Sequence, residues 1–157
     1  MIQKRAMNTF PFLPVLLTRG VEMRFNEVRI ADETLRVMLE AGALLRDAGR
    51  LEEAEKILRG VHEFAPTSDV PLVGLGKLEL QRGRCVEALA FYDEALRLHP
   101  ESAYARVHRA EALLVQGKRE EAETELRELI EQDPTSPHAR TAQALLDAAD
   151  LIGGTAR

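Results

Sequence analysis

The sequence predicts an all-α protein built as a stack of helical hairpins, on three observations. Glycine stands at Gly49, Gly83 and Gly117, alanine at Ala54, Ala88 and Ala122, and proline at Pro66, Pro100 and Pro134, so three residue types repeat at one interval of 34 residues. An interval in that range marks supersecondary units that each bury a face against the next. Within each unit the apolar residues recur at spacings of three and four, the period of a helix. The composition agrees: 45% of the 157 residues are hydrophobic but only 4% are aromatic, with no Trp, so the core must come from Leu, Ala, Val and Ile, which suits closely packed helices.

Residues 1–34 read as an N-terminal extension. Lys4 and Arg5 precede an apolar run from Phe10 to Leu17, but Pro11 and Pro14 interrupt it and no small-x-small cleavage site follows. Neither a signal peptide nor a membrane span is expected there. Val21, Phe25 and Val28 share a helical face, which predicts a short helix over 21–30, and Asp32 or Thr34 is placed to cap the next helix.

The repeats then run 35–68, 69–102 and 103–136. In the first, Leu35, Met38, Leu39, Gly42 and Leu45 form the stripe of a helix that Gly49 ends. A partner helix from Leu51 or Glu52 to about Ala65 carries Ala54, Ile57, Leu58 and Val61, and Pro66 lies just beyond, where its missing amide does no harm. The second repeat reads Leu72, Leu75, Gly76 and Leu80, then Ala88, Phe91, Tyr92 and Ala95. The third reads Val107, Ala110, Leu113 and Leu114, then Ala122, Leu126, Leu129 and Ile130. Ser136 and Pro137 start a last helix over 137–152. Its apolar side (Ala142, Leu145, Leu146, Ala149) and polar side (Arg140, Gln143, Asp147, Asp150) suit a cap that covers the stack and meets water. Gly153 and Gly154 open a short tail, 153–157, so residues 35–152 form one domain.

The side chains give little support to catalysis. A net charge of -5 offers no field for a phosphate backbone, which argues against nucleic-acid binding. The single cysteine, Cys85, permits neither an intramolecular disulfide nor a CxxC site, and fits a small half-buried helical residue in a cytoplasmic protein. His62, His99, His108 and His138 are scattered without an i, i+4 pair, so no metal site is expected. The acidic residues Glu52, Glu53, Glu120, Glu121, Glu123, Glu125 and Glu128 interleave with Lys56, Lys118, Arg119 and Arg127 as solvated helix faces. Gly74 and Gly76 lie inside a helix with no strand before them, so their GxG is not a dinucleotide fingerprint. No catalytic residue and no cofactor is assigned, and an enzyme with an unrecognised site is the most distant reading.

Over about two thirds of its length the chain closely resembles the tetratricopeptide family, whose pattern is W-x2-L-G-x2-Y, then A-x3-F, then P. The second repeat matches with Leu72, Leu75, Gly76, Ala88, Tyr92, Ala95 and Pro100; Gly42 and Ala54, and Ala110 and Ala122, hold the small positions of the other two. These small residues let the two helices of a hairpin approach. Ala41, Arg106, Arg109 and Glu79 depart from the larger apolar residues usual at their positions, which predicts local exposure or a looser fit there.

The resemblance implies a right-handed superhelical solenoid of three hairpins plus the capping helix, with the first helix of each hairpin lining a concave groove. Carried over position by position, the groove residues are Arg36, Leu39, Ala43 and Arg46; Val70, Val73, Lys77 and Leu80; and Tyr104, Val107, Glu111 and Leu114. Leu39, Val73 and Val107 occupy one equivalent position, and the expectation is an apolar line along the floor. The Lys, Asn and Arg clamp of family members that bind chaperone tails is absent, since those positions hold Leu39, Ala43, Val70, Gly74, Tyr104 and His108. In size and layout the chain is similar to the chaperones of bacterial type III secretion, and equally to general scaffold or adaptor proteins of the family. The implied partner is another protein, through a peptide segment or an amphipathic helix, and self-association is compatible with the pattern. Pro11, Phe12, Leu13 and Pro14 resemble the proline-and-leucine peptides that such grooves accept, although Leu16 stands where a second proline is usual; the favoured reading is a disordered tail, and docking in a groove of its own or a neighbouring chain is the alternative.

Overall fold

The computed structural model describes residues 31–154. The helix over 21–30, the leader segment and residues 155–157 of the tail fall outside them. Seven helices follow one another: α1 (Asp32–Asp47), α2 (Leu51–Phe64), α3 (Val70–Gln81), α4 (Cys85–Leu98), α5 (Ala103–Val115), α6 (Arg119–Gln132) and α7 (Pro137–Gly154). No strand occurs among the described residues, and no described helix is long and apolar enough to cross a membrane.

The hairpin turns form as the glycine spacing predicts. Gly49, Gly83 and Gly117 have φ of 76°, 77° and 83°, a region where a Cβ is costly. At each turn the glycine amide donates three residues back, to Arg46, Leu80 or Leu114, and the next amide donates five back, to Leu45, Glu79 or Leu113. That double bond closes the carbonyl end of α1, α3 and α5 and sends the chain back along the same helix. Ser102 and Ser136 cap α5 and α7, their hydroxyls accepting from the amides of Ala105 and Ala139 at 3.2 and 3.0 Å. At α1 the structure corrects the capping residue: the helix begins at Asp32 after Ala31, with no side-chain cap. Asp32 and Glu33 instead occupy its first turn, where carboxylates oppose the positive end of the helix dipole. At the other end α7 continues through Gly153 to Gly154.

Each helix packs on its neighbour in sequence, and the first helices also meet one another, α1 with α3, α3 with α5 and α5 with α7. No such contact joins α2 to α4 or α4 to α6. The stack is therefore tighter on the first-helix side, which is the inner side of its curve. Small residues set this spacing. A Cβ on Gly42 would lie 3.2 Å from Leu58 Cδ2, and one on Gly74 would lie 3.0 Å from the same atom, so Leu58 of α2 is wedged between α1 and α3. A Cβ on Gly76 would come within 2.4 Å of Tyr92 Cε1, a ring atom on the paired helix α4. Gly76→Ala should therefore cost about 1–3 kcal/mol, as overpacking does. Gly60, also helical, has nothing within 4 Å of its Cβ position among the described residues. Gly60→Ala should raise stability by about 0.4–1 kcal/mol, and denaturant midpoints of the two variants should move in opposite directions.

Exposure expected at Arg106, Arg109 and Glu79 gives way to buried pairing. Arg106 and Arg109, on α5, both reach Glu125 of α6, at 3.6 and 2.8 Å, and the Arg106 side chain keeps only 12% of its surface. Glu79 is 6% exposed and takes Arg82 at 2.6 Å and Arg84 at 3.3 Å. Arg82 also bonds Glu55 of α2 at 2.8 Å, tying the first two hairpins together. Charge stands where the repeat pattern calls for apolar bulk because each charge has a partner on a facing or adjoining segment, which offsets its desolvation.

Candidate functional site

The inner face is formed by α1, α3 and α5, with the first turns of α7 at one edge. Most of the residues assigned to it from the sequence retain accessible surface. Arg36 is exposed and engaged along α1 with Glu33 at 2.6 Å and Glu40 at 3.7 Å. Leu39, Ala43, Leu80, Tyr104, Glu111 and Leu114 are half-buried, and Val70 is exposed. The Arg46 side chain keeps 14% of its surface and lies 2.7 Å from Asp47.

Val73 and Val107 are the exceptions. They are 0% and 1% exposed, so the expected line through Leu39, Val73 and Val107 is not an open floor. Val73 belongs to a cluster with Leu72, Ala88, Tyr92, Ala95 and Ala105, and Val107 to one with Ala110, Leu113, Ala122, Leu126 and Ala142. The physical reason is the direct approach of successive first helices. Ala105 on α5 shares the cluster of Val73, and Ala142 on α7 that of Val107. With only methyl side chains between them, the helices close over the valines.

What remains open is mixed in polarity. Arg46, Asp47, Lys77, Leu80, Gln81, Glu111 and Val115 line a cleft of about 360 Å³ at the ends of α1, α3 and α5. Beside it, Lys77 Nζ lies 3.4 Å from His108 Nε2, and His108 Nδ1 lies 2.9 Å from Glu111 Oε2. The Tyr104 ring meets His108 edge-on at 5.1 Å, the Lys77 ammonium stands 5.9 Å from the Tyr104 centroid, and His138 of α7 stands 6.0 Å from the same ring. Beneath, Tyr92 stacks on His108 at 6.5 Å. Burial pushes Lys77 below the usual lysine range, with Arg46 adding to the effect. The hydrogen bond from His108 holds Glu111 low, and burial raises the Tyr104 hydroxyl.

Thus the structure brings Arg46, Lys77, Leu80 and Glu111 together from three helices, as the repeat phase implied. It adds Gln81, Val115 and Asp47, which the sequence does not assign to the groove, and sets beside them His108, which the sequence marks only as a clamp position without its clamp residue. Val115 could have been found: Tyr104, His108, Glu111 and Val115 follow one another at spacings of four, three and four, a stripe that shares Tyr104 and Glu111 with the expected one and takes His108 and Val115 in place of Val107 and Leu114. Among the described residues no cluster of His, Cys, Asp or Glu is arranged to hold a metal ion.

Comparison with known proteins fits this geometry. Residues 79–146 match the family model for the tetratricopeptide repeat. Over those residues the chain carries the tetratricopeptide repeat, and its fold is an all-α solenoid of helical hairpins. Among curated proteins it is 35% identical over 104 residues to the TPR repeat-containing thioredoxin TTL4 of Arabidopsis thaliana, a match that covers 66% of this chain and 14% of that protein. The chain thus spans a small part of that relative. Among solved structures, the type III secretion translocator chaperone SycD of Yersinia enterocolitica superposes with a TM-score of 0.67 at 23% identity, over 79% of this chain and 94% of that one. PcrH, a protein of Pseudomonas aeruginosa, bound to the chaperone-binding region of PopD, superposes with a TM-score of 0.63 at 22% identity, over 79% and 96%. These likenesses establish the solenoid fold.

Proposed function

We propose that the inner face of this solenoid binds a peptide segment or amphipathic helix of another protein. The observation that carries the reading is the open cleft on the curved side, where apolar Leu80 and Val115 lie beside Arg46, Lys77 and Glu111. Such a surface offers apolar contact for affinity and charge for orientation, with no constellation that performs a reaction. Arg36, Leu39, Ala43, Val70, Tyr104 and Leu114 extend it along the first helices; Val73 and Val107 take no part, being enclosed. A chaperone that shields one segment of a client is the finer reading, supported by the shared fold of SycD and of PcrH, whose structure holds a chaperone-binding region. A general scaffold or adaptor is the alternative, and a single stoichiometric client that is insoluble without this protein distinguishes the chaperone.

The test uses exposed positions so that folding is not at issue. Val115 is 62% exposed at the cleft, and Val86 is 67% exposed on α4, away from the inner face. Val115→Glu should weaken a partner recovered from the source cells by tenfold or more, since a charge displaces about 1.5–3 kcal/mol of apolar contact. Val86→Glu should leave it unchanged. Loss through Val86→Glu with retention in Val115→Glu would move the site to the outer face.

A further inference from the structure

We propose that His108 is a proton-operated latch on Lys77: neutral, it holds the Lys77 ammonium against the inner face, and on taking a second proton it releases that ammonium into the cleft. The argument begins with polarity. A lysine ammonium has three donors and no acceptor, so the 3.4 Å contact requires a lone pair on His108 Nε2. An ionised glutamate only accepts, so the 2.9 Å contact with Glu111 places the ring hydrogen on Nδ1. Both neighbours have fixed polarity, and together they select the Nδ1–H tautomer, the opposite of the one an imidazole favours when free in water.

A second proton on the ring turns Nε2 into a donor and sets two cations against each other at that distance. The hydrogen bond to Glu111 becomes charge-assisted and strengthens, so the ring is held. It is also gripped between Tyr92, stacked at 6.5 Å, and Tyr104, edge-on at 5.1 Å. Lys77 is the part free to move, since it has a flexible stem and forms no ion pair among the described residues. Its ammonium is already disfavoured by burial and by Arg46, against a smaller attraction from Glu111 and Asp47. The groups that face this pair are Arg46 and Asp47 from α1, Tyr92 from α4, Tyr104 and Glu111 from α5 and, behind Tyr104, His138 from α7. On the side toward α6, Glu121 and Glu125 are engaged by Arg109, and Glu125 also by Arg106. The consequence for binding rests on the function proposed above: acid would add a mobile cation to the face. The latch itself does not depend on that reading.

The experiment therefore uses the free, full-length protein. Nitrogen-15 NMR of the imidazole rings gives the tautomer at pH 8, and the Lys77 side-chain resonances are followed as pH falls to 5, a range that spans the ordinary titration of histidine. The expected results are Nδ1–H on His108 at pH 8 and an inflection of Lys77 at the pH where the His108 ring titrates. In His108→Gln, whose amide oxygen accepts from Lys77 without titrating, that inflection should vanish. An Nε2–H tautomer at pH 8, a Lys77 resonance that passes through the His108 midpoint unmoved, or an inflection that persists in His108→Gln would each overturn the latch.

Discussion

Val73→Glu should unfold the protein far below the wild-type midpoint. Val73 has no accessible surface and sits among Leu72, Ala88, Tyr92, Ala95 and Ala105. A carboxylate there would be buried without a partner, or would take up a proton at a cost that lowers stability by a similar route. The loss should reach about 4 kcal/mol, the scale that marks an unpaired charge forced into a core. Val70, one turn earlier on α3 and 37% exposed, supplies the control. Val70→Glu should keep its thermal midpoint within a few degrees of wild type. Equal midpoints for the two variants would mean that Val73 opens to solvent and that α5 does not close over it.

The repeat phase was legible because it rests on backbone chemistry. Gly49, Gly83 and Gly117 are needed for positive φ, Gly76 for the Tyr92 ring and Gly42 for Leu58, and no other residue type serves as well. Rotation about each helix axis was less legible. Val107 and His108 are adjacent in sequence, and a rotation of one position decides which of them faces the cleft. Apolar character favoured the valine for a binding floor. In the structure, however, small Ala105 and Ala142 bring the first helices together and draw the valines into the core, leaving the histidine beside the cleft. The buried ion pairs were hidden for a related reason. Arg106 and Arg109 look like misfits when α5 is read alone, and become intelligible only when Glu125 of α6 is set opposite them.

Tyr92 joins these two halves of the structure, since its ring fills the space left by Gly76 and its far end supports His108. It is wholly buried, and its hydroxyl has no hydrogen-bond partner among the described residues. Burial pushes that hydroxyl above the ordinary tyrosine range. Two substitutions separate ring from hydroxyl. Tyr92→Ala removes the whole ring and should cost about 3–5 kcal/mol, because helices packed all along their length cannot collapse fully into the void left beside Gly76. Tyr92→Phe keeps the packing and removes only a polar atom that is desolvated without compensation, so it should be neutral or stabilising by up to about 1 kcal/mol. Denaturant midpoints measure both, and the tyrosine-to-phenylalanine result is the more discriminating of the two. A loss above about 1 kcal/mol for Tyr92→Phe would mean that the hydroxyl has a partner, most simply a buried water shared with Glu111 or Arg46, the charged groups that bear on it. Tyr92→Phe should also leave the His108 ring in place, because stacking needs the ring face and not the oxygen, whereas Tyr92→Ala should free that ring and loosen the Lys77 contact above it.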